Sequence, residues 1–174
     1  MTNSSIGYTW LMFALVTVVS WGLYGIALHT GQIGMNDPVN GRYKAFFVVG
    51  IAYFLTAMLG SALVLWLNGA HWDFPMKGMV WSLVAGLVGS IGAFFVLLAF
   101  GAKGSPAVVM SIVFAGAPIV NAITAISLHP PAGGWTSLRW QFVLGILLAA
   151  AGGCLVSLYK PNPAPPPQVQ SSSE

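Results

Sequence analysis

The residues whose side chains could carry out catalysis or bind a metal are few in this sequence and lie far apart. The acids are Asp37, Asp73 and Glu174, and the histidines are His29, His71 and His129. Acid–base catalysis needs two such groups close together and a metal site needs three or four, so this spacing favours neither. The sequence also lacks a phosphate-binding loop. We therefore predict no catalytic residue, no metal site, no cofactor and no enzymatic activity.

Ligand binding is the chemistry that remains, and it depends on polar groups within long apolar stretches. Most of these groups are hydroxyls, which in a membrane helix usually bond to their own backbone. Asn121 is different. It lies in the inner part of an apolar stretch, where a neutral amide needs a hydrogen-bond partner and can bind a polar ligand. Pro118 removes one helical hydrogen bond and predicts a kink near Asn121, and interrupted helices often line substrate cavities in transporters. A kink that only improves packing is equally compatible with this pattern.

The composition indicates which kind of structure holds these candidate ligand-binding residues. Of 174 residues, 57% are hydrophobic and 5% are charged, whereas a soluble domain has about 25% charged residues. Five uncharged stretches are each long enough to cross a hydrocarbon core, which takes about 20 residues. We place them at residues 8–30, 45–68, 78–101, 105–128 and 140–159. The sequence thus predicts an all-α integral membrane protein, a polytopic bundle of five transmembrane helices in contact with the lipid bilayer.

The segments outside the five helices are short or polar. Residues 1–7 form an N-terminal extension, and residues 161–174, rich in proline and serine, are expected to be a disordered tail. Only Ala102–Gly104 separates the third and fourth helices, so these two must be antiparallel neighbours. The longer connections lie around residues 32–44, 69–77 and 129–139. His29 lies near the end of its stretch, which favours a solvated histidine at the membrane interface.

The basic residues divide unequally between the two sides of the membrane. With five spans the termini lie on opposite sides, which puts Arg42, Lys44, Lys103 and Lys160 on one side and Lys77 and Arg139 on the other. The positive-inside tendency then places the N-terminus outside and the C-terminus in the cytoplasm. The difference in the number of basic residues between the two sides is small, so insertion in both orientations is also compatible with the sequence. Because the charges are scattered singly and form no basic stripe, no nucleic acid is expected as a partner.

Small residues four positions apart mark surfaces on which membrane helices pack closely. Gly145, Ala149 and Gly153 form such a row in the fifth stretch, and Gly86 and Gly89 belong to two rows in the third. We therefore predict helix packing at these five positions. Packing inside one polytopic bundle explains the rows more readily than a dedicated dimer motif does.

Several segments occur in an order that is known from a transporter family. They are Ser20–Gly22 in the first helix, Ala99–Ala107 around the short turn, Ala117–Val120 with a central proline, and Trp140–Gly153 with spaced glycines and alanines. Their order and spacing resemble one repeat of the drug/metabolite transporter superfamily, the EamA-like domain. The resemblance implies that residues 8–160 are a single five-helix repeat. Family members commonly contain two inverted repeats with the substrate site between them, so it also implies pairing with a second copy or a related half-transporter.

The chain departs from the family pattern in two places. After the fourth span the family often has a glutamate, where this chain reads Ser127–Pro131. The four-helix small multidrug resistance relatives use a carboxylate in their first helix to couple protons and bind cations, and the first span here has none. Proton-coupled export of cationic drugs is therefore not expected.

The resemblance leads us to expect a membrane carrier, present as a half-unit, that moves a small neutral or zwitterionic metabolite by alternating access between two paired halves. Trp21, Tyr24, Pro118 and Asn121 are the candidate substrate-binding residues, with the aromatic rings for stacking and the amide for orientation. The expected location is the plasma (inner) membrane, with multiple passes. The alternative is a non-transporting membrane scaffold or accessory subunit that retains the same fold and binds a partner.

Overall fold

The described chain is all-helical. A computed structural model describes residues 8–160, without the side chain of Thr136, and no strand occurs within that range. Its five long helices are α1 Thr9–Gly34, α2 Gly41–Leu67, α3 Met76–Gly101, α4 Pro106–Leu128 and α5 Trp140–Leu158. A 3-10 turn, Gly134–Ser137, precedes α5. Each long helix is apolar and long enough to cross a membrane, so the prediction of an all-α, multi-pass membrane protein is confirmed. The predicted extension 1–7 and tail 161–174 lie outside the described residues.

The first connection is shorter than the sequence predicted. We expected it around residues 32–44, but α1 continues to Gly34 and α2 begins at Gly41, which leaves only residues 35–40 between them. Arg42 and Lys44 therefore lie inside the first turn of α2. The predicted start of the second stretch, residue 45, was therefore four residues late, because long basic side chains at a helix end can bury their stems and still keep the charge near water.

The chain divides into two compact units, Met1–Met110 and Ser111–Glu174, with the boundary inside α4. In the first unit, α1, α2, α3 and the start of α4 pack around a cluster of buried residues, Leu28, Leu97, Phe100 and Met110. Phe100 precedes the short α3–α4 turn and Met110 follows it, so the end of α3 and the start of α4 contribute to the same cluster; the antiparallel packing of the two whole helices stays a prediction. The core of this unit thus lies at the helix ends that are joined by the α1–α2 and α3–α4 connections.

Close approach in the first unit depends on small residues. A Cβ on Gly25 of α1 would overlap the Met110 side chain, so the bare backbone of α1 is what lets α4 come near. At the turn after α3, the Gly104 amide donates to the Ala99 carbonyl at 2.9 Å, and Lys103 takes a φ of 69°. This left-handed residue and the bond that reaches back across it close the helix end and start the chain in the opposite direction.

The halves of the first-unit helices far from this core are exposed. Residues 8–23 of α1 and 76–92 of α3 bury no side chain. For a chain in lipid these apolar faces carry no penalty, because helices in a bilayer are not driven together by the hydrophobic effect. The exposed faces are therefore available to lipid or to another membrane protein.

One element was not predicted from the sequence. α2 contains a π-helical segment, Phe54–Gly60, between the α-helical parts Gly41–Tyr53 and Ser61–Leu67. A π segment widens the helix and rotates the residues that follow relative to those that precede, and such segments are frequent at functional sites. The hydroxyl of Thr56, inside the segment, donates to the Ala52 carbonyl at 2.9 Å.

The small-residue rows lie in different surroundings. In the second unit, a Cβ on Gly153 would overlap that of Ala115, so α5 and α4 approach closely there. A Cβ on Gly86, Gly89 or Gly145 would meet nothing within 4 Å, and Ala149 is exposed. Packing at these four positions stays a prediction.

Candidate functional site

Hydroxyl groups along the helices are largely satisfied by their own backbone. Six of them donate to a carbonyl three or four residues earlier at 2.8 to 3.0 Å, namely those of Thr17, Ser20, Thr56, Ser90, Ser127 and Ser157. The sequence-based expectation for such residues is confirmed. These hydroxyls therefore need no further partner in the membrane.

Tyr24 differs from the serine and threonine residues of α1 in that its hydroxyl is enclosed and has no partner in the described part of the chain. Its ring packs against the buried cluster of the first unit, and its hydroxyl oxygen is enclosed without a hydrogen-bond partner among residues 8–160. A phenol is too rigid and too long to reach its own backbone as serine and threonine do. An enclosed hydroxyl without a partner destabilises a protein by about 1–3 kcal/mol, so this group calls for a specific explanation.

Trp21 lies one turn before Tyr24, on the same side of α1. Its side chain is about half exposed, at 52%. An apolar groove of about 510 Å³ runs along α1 from Tyr8 to Ser20 and ends before Trp21. The two predicted aromatic residues are thus adjacent to each other but lie beyond this groove.

Pro118 and Asn121 form a second pair, on one side of α4 in the second unit. Both are exposed, and α4 is continuous across Pro118. The kink predicted at Pro118 stays a prediction. Within residues 8–160 the Asn121 side chain makes no hydrogen bond, although its amide has two donors and an acceptor. The four candidate residues therefore form two pairs, one in each unit, and each pair offers a polar group without a partner.

His29 lies further from the end of its helix than expected. Because α1 extends to Gly34, His29 lies more than a turn before the helix end, and it is only partly exposed. Its ring packs edge-to-face on Phe100, with ring centroids 5.4 Å apart. The end of α3 thus covers part of the ring, and the expectation of a solvated histidine at the membrane interface stays a prediction.

A polar network organises the α1–α2 connection. One oxygen of Asp37 accepts hydrogen bonds from the amides of Asn40 at 2.8 Å and Val39 at 3.1 Å, and the other pairs with the Lys44 ammonium at 2.7 Å. The bond from the Asn40 amide, and next the bond from Lys44, lower the pKa of Asp37 to about 2. Asp37 is therefore ionised, and its charge is matched by that of Lys44.

Arg42 lies beside this network but has no acid of its own. Its guanidinium is 5.5 Å from the centre of the Tyr43 ring and rests against Gly101 at the end of α3, where a Cβ would be 2.5 Å from Nη1. In the part of the chain that the structure describes, it makes no ion pair and no hydrogen bond. Arg42 is thus a partly buried cation without a counter-charge.

A cavity of about 420 Å³ adjoins Arg42, and we name it the Arg42 cavity. Its lining includes Gln32, Asn36, Asp37, Arg42 and Gly101. The side-chain oxygen of Gln32 is enclosed and accepts no hydrogen bond from residues 8–160. The start of α2 comes close to α1 beside the cavity, since a Cβ on Gly41 would lie 3.1 Å from the Gln32 carbonyl oxygen. The cavity therefore combines an unpaired cation with an unpaired acceptor.

Sequence reasoning missed Gln32 and Arg42 as candidate functional residues. Both were assigned to a connecting loop, where exposed polar residues are ordinary. One signal was available, because the local acid Asp37 can neutralise only one of the two nearby cations, Arg42 and Lys44. Metal binding has no comparable support, since among the described residues no three His, Cys, Asp or Glu side chains come together.

Comparison with known proteins gives no match: no protein-family model, no curated protein and no solved structure matches the chain. The likeness to the EamA-like domain is therefore carried by the sequence motifs alone.

Proposed function

We propose that the chain is a half-unit of a membrane carrier that resembles one repeat of the drug/metabolite transporter superfamily. It pairs with a second copy or a related half in the plasma (inner) membrane. The two halves move a small neutral or zwitterionic metabolite by alternating access. The five long apolar helices supply the membrane domain that such a carrier needs.

The observation that carries this proposal is the Tyr24 hydroxyl. It is enclosed in the membrane domain and has no hydrogen-bond partner within residues 8–160. A group that destabilises the state in which it is unpaired favours any second state, or any ligand, that supplies a partner. Alternating access requires two conformational states. A ligand that bonds to the Tyr24 hydroxyl in one state stabilises that state and so shifts the equilibrium between the two.

Asn121 adds support from the second unit. An exposed amide in a helix that crosses the hydrocarbon region is unfavourable unless a ligand or a partner helix bonds to it. In a carrier built of two halves, residues on the faces between the halves remain exposed in one half alone. The exposure of Asn121 and Pro118 is what this arrangement requires.

The test is exchange of labelled metabolites across vesicles that contain the purified protein, using a panel of neutral sugars, zwitterionic amino acids and nucleosides. We expect saturable exchange of at least one compound. Tyr24→Phe removes only the hydroxyl, and it should lower the exchange rate by about tenfold, the value of one hydrogen bond to a ligand. The same substitution should leave the melting temperature unchanged or raise it, because an unpaired polar group is removed. Tyr159→Phe, at an exposed position after α5, should change neither.

Asn121→Leu provides the second test of the same proposal. It should also reduce exchange by about tenfold or more while the protein remains monodisperse in detergent. Absence of exchange for every compound, alone or with a related half in the same vesicles, contradicts the proposal. Full exchange in both variants contradicts the assigned roles of Tyr24 and Asn121.

A non-transporting scaffold is the second candidate function. It is favoured by Gly86 and Gly89 of α3, whose surroundings are open and which could receive a partner helix. For a scaffold, no metabolite exchanges and Asn121→Leu is tolerated. Bulky substitutions such as Gly86→Leu then release a co-purifying membrane partner, whereas in a carrier they act on flux.

A further inference from the structure

Two cations, Arg42 and Lys44, lie near the Arg42 cavity with one acid, Asp37, and of these only Arg42 and Asp37 line it. Asp37 is the one acid of the α1–α2 connection, and its carboxylate is already bonded to two amides and to Lys44. Removing a guanidinium even partly from water is unfavourable without a compensating anion. The guanidinium of Arg42 is therefore a positive charge that no described residue balances.

Contacts with neighbouring residues hold the Arg42 guanidinium in place. Tyr43, whose ring also stacks on Phe94 of α3 at 6.3 Å between centroids, presents a face to the guanidinium. The missing side chain of Gly101 leaves the space that Nη1 occupies. A guanidinium held in place binds an oxyanion with little loss of freedom, and its planar donors match phosphate oxygens two at a time.

Gln32 narrows the chemistry of the ligand further. Gln32 lines the cavity and its enclosed side-chain oxygen accepts no hydrogen bond from residues 8–160, so an N–H or O–H group of an occupant would satisfy it once the side chain turns toward the cavity. A phosphate diester that ends in a quaternary ammonium, such as a choline headgroup, offers no such donor. An ethanolamine headgroup offers both a phosphate and an ammonium with three N–H donors, and a cavity of about 420 Å³ lies in the size range of ligand sites.

We propose that the Arg42 cavity is a binding site for phosphoethanolamine, with Arg42 on the phosphate and Gln32 accepting from the ammonium. The group could arrive as the headgroup of a membrane lipid or as a water-soluble phosphate ester, because the recognised chemistry is the same. The site lies at the helix ends of the first unit, and its occupation does not depend on the carrier function proposed above.

The experiment measures binding to the full-length protein, purified in detergent, by native mass spectrometry and by melting temperature. Four compounds form two matched pairs: phosphatidylethanolamine with phosphatidylcholine, and phosphoethanolamine with phosphocholine. We expect ethanolamine compounds to bind about tenfold or more tightly than their choline counterparts. Binding of the lipid alone identifies a headgroup site, and binding of the soluble ester as well identifies a site for free phosphate esters; both support the proposal.

Three variants assign the contacts. Arg42→Gln should weaken binding of both ethanolamine compounds by about tenfold or more, and Gln32→Leu should remove the preference for ethanolamine over choline. Gly101→Ala keeps every charge but displaces the guanidinium, so it should also weaken binding. Lys103→Gln is the control, because it removes a positive charge near the same helix ends without touching the cavity lining, and it should have no effect.

Two results would overturn the proposal. If Lys103→Gln weakens binding as much as Arg42→Gln does, the attraction is a general one between basic residues and phosphate. If the unmodified protein binds choline and ethanolamine compounds equally, or binds neither, the role of Gln32 or the whole site is wrong. Should Arg42→Gln fail to fold, Gly101→Ala and Gln32→Leu carry the test, since each leaves Arg42 in the chain.

Discussion

At the scale of single residues, the polar side chains of this protein fall into two groups. Serine and threonine hydroxyls bond to their own helix, and this could be predicted from residue type because the partner is always three or four positions away. Tyr24, Gln32 and Arg42 have no such local partner. Their state depends on which helices lie beside them, and no pattern along the chain specifies that. That these three groups are unpaired is therefore revealed only by the packing of the first unit.

Asp37 permits a prediction about pH. Its pKa in the folded protein, about 2, lies below the ordinary value of 3.8, so its carboxylate stabilises the fold above about pH 4, and this contribution is lost as the pH falls toward 2. Asp37→Asn should lower the melting temperature in detergent by a constant amount above pH 4, and the difference from the unmodified protein should close between pH 4 and 2. Because the hydrogen bond from the Asn40 amide is the largest single cause of the low pKa, Lys44→Met should keep part of this pH dependence. A difference that is the same at pH 2 and pH 6 would contradict the role of Asp37.

At the scale of helices, hydropathy predicted the existence of every long element but not all of their ends. The start of α2 was placed too late because Arg42 and Lys44 were read as loop residues, whereas both lie in its first helical turn. The π segment of α2 was also not predicted, since no residue type is diagnostic for it. Helix ends and π segments depend on a few hydrogen bonds of similar energy, while the presence of a membrane helix depends on about 20 residues together.

The α4–α5 contact gives a prediction at this scale. Gly153→Ala places a methyl group against Ala115, whose own Cβ cannot move without the backbone, so it should destabilise the protein by about 1–3 kcal/mol. Gly145→Ala is the matched control in the same helix, where the added methyl group meets open space and helix propensity favours alanine by about 1 kcal/mol. Thermal unfolding in detergent should show a lower melting temperature for the first variant and an equal or higher one for the second. Equal effects of the two substitutions would contradict the α4–α5 contact.

At the scale of the whole molecule, the lipid bilayer explains why so little of the chain is buried. Among the described residues, Leu97 is the large side chain that is fully enclosed, and long apolar faces of α1 and α3 are exposed. A soluble protein with such a surface would aggregate, whereas in hydrocarbon the same surface is matched to its solvent. In such a protein an exposed polar group on a helix, rather than an exposed apolar one, indicates a site for a ligand or a partner helix, and Asn121 is the clearest example.

The arrangement in the membrane can be tested with single cysteines in a Cys154→Ala background. Val39→Cys, in the α1–α2 connection, and His71→Cys, in the α2–α3 connection, should react with a membrane-impermeant maleimide from opposite sides, because α2 alone separates them. Following the distribution of basic residues, His71→Cys should react in intact cells and Val39→Cys only after the cells are opened. Partial reaction of both in intact cells indicates insertion in both orientations, which inverted pairing of two identical halves requires. Reaction of both from one side only would contradict the crossing of α2.

The sequence by itself determined that this is a membrane protein with five helices, and it did so because transfer into lipid is a sum over neighbouring residues that needs no knowledge of the fold. It also determined the tight α3–α4 turn and the bonding of most hydroxyls, which are local as well. Only the tertiary structure decided that Tyr24 and Gln32 are enclosed without partners and that Arg42 lies against Gly101 without an acid. These contacts join residues from different helices; Arg42 and Gly101, for example, are 59 positions apart in the sequence. Hydrogen bonds and ion pairs form only between groups that are close in space, and the order of residues along the chain does not specify which groups those are.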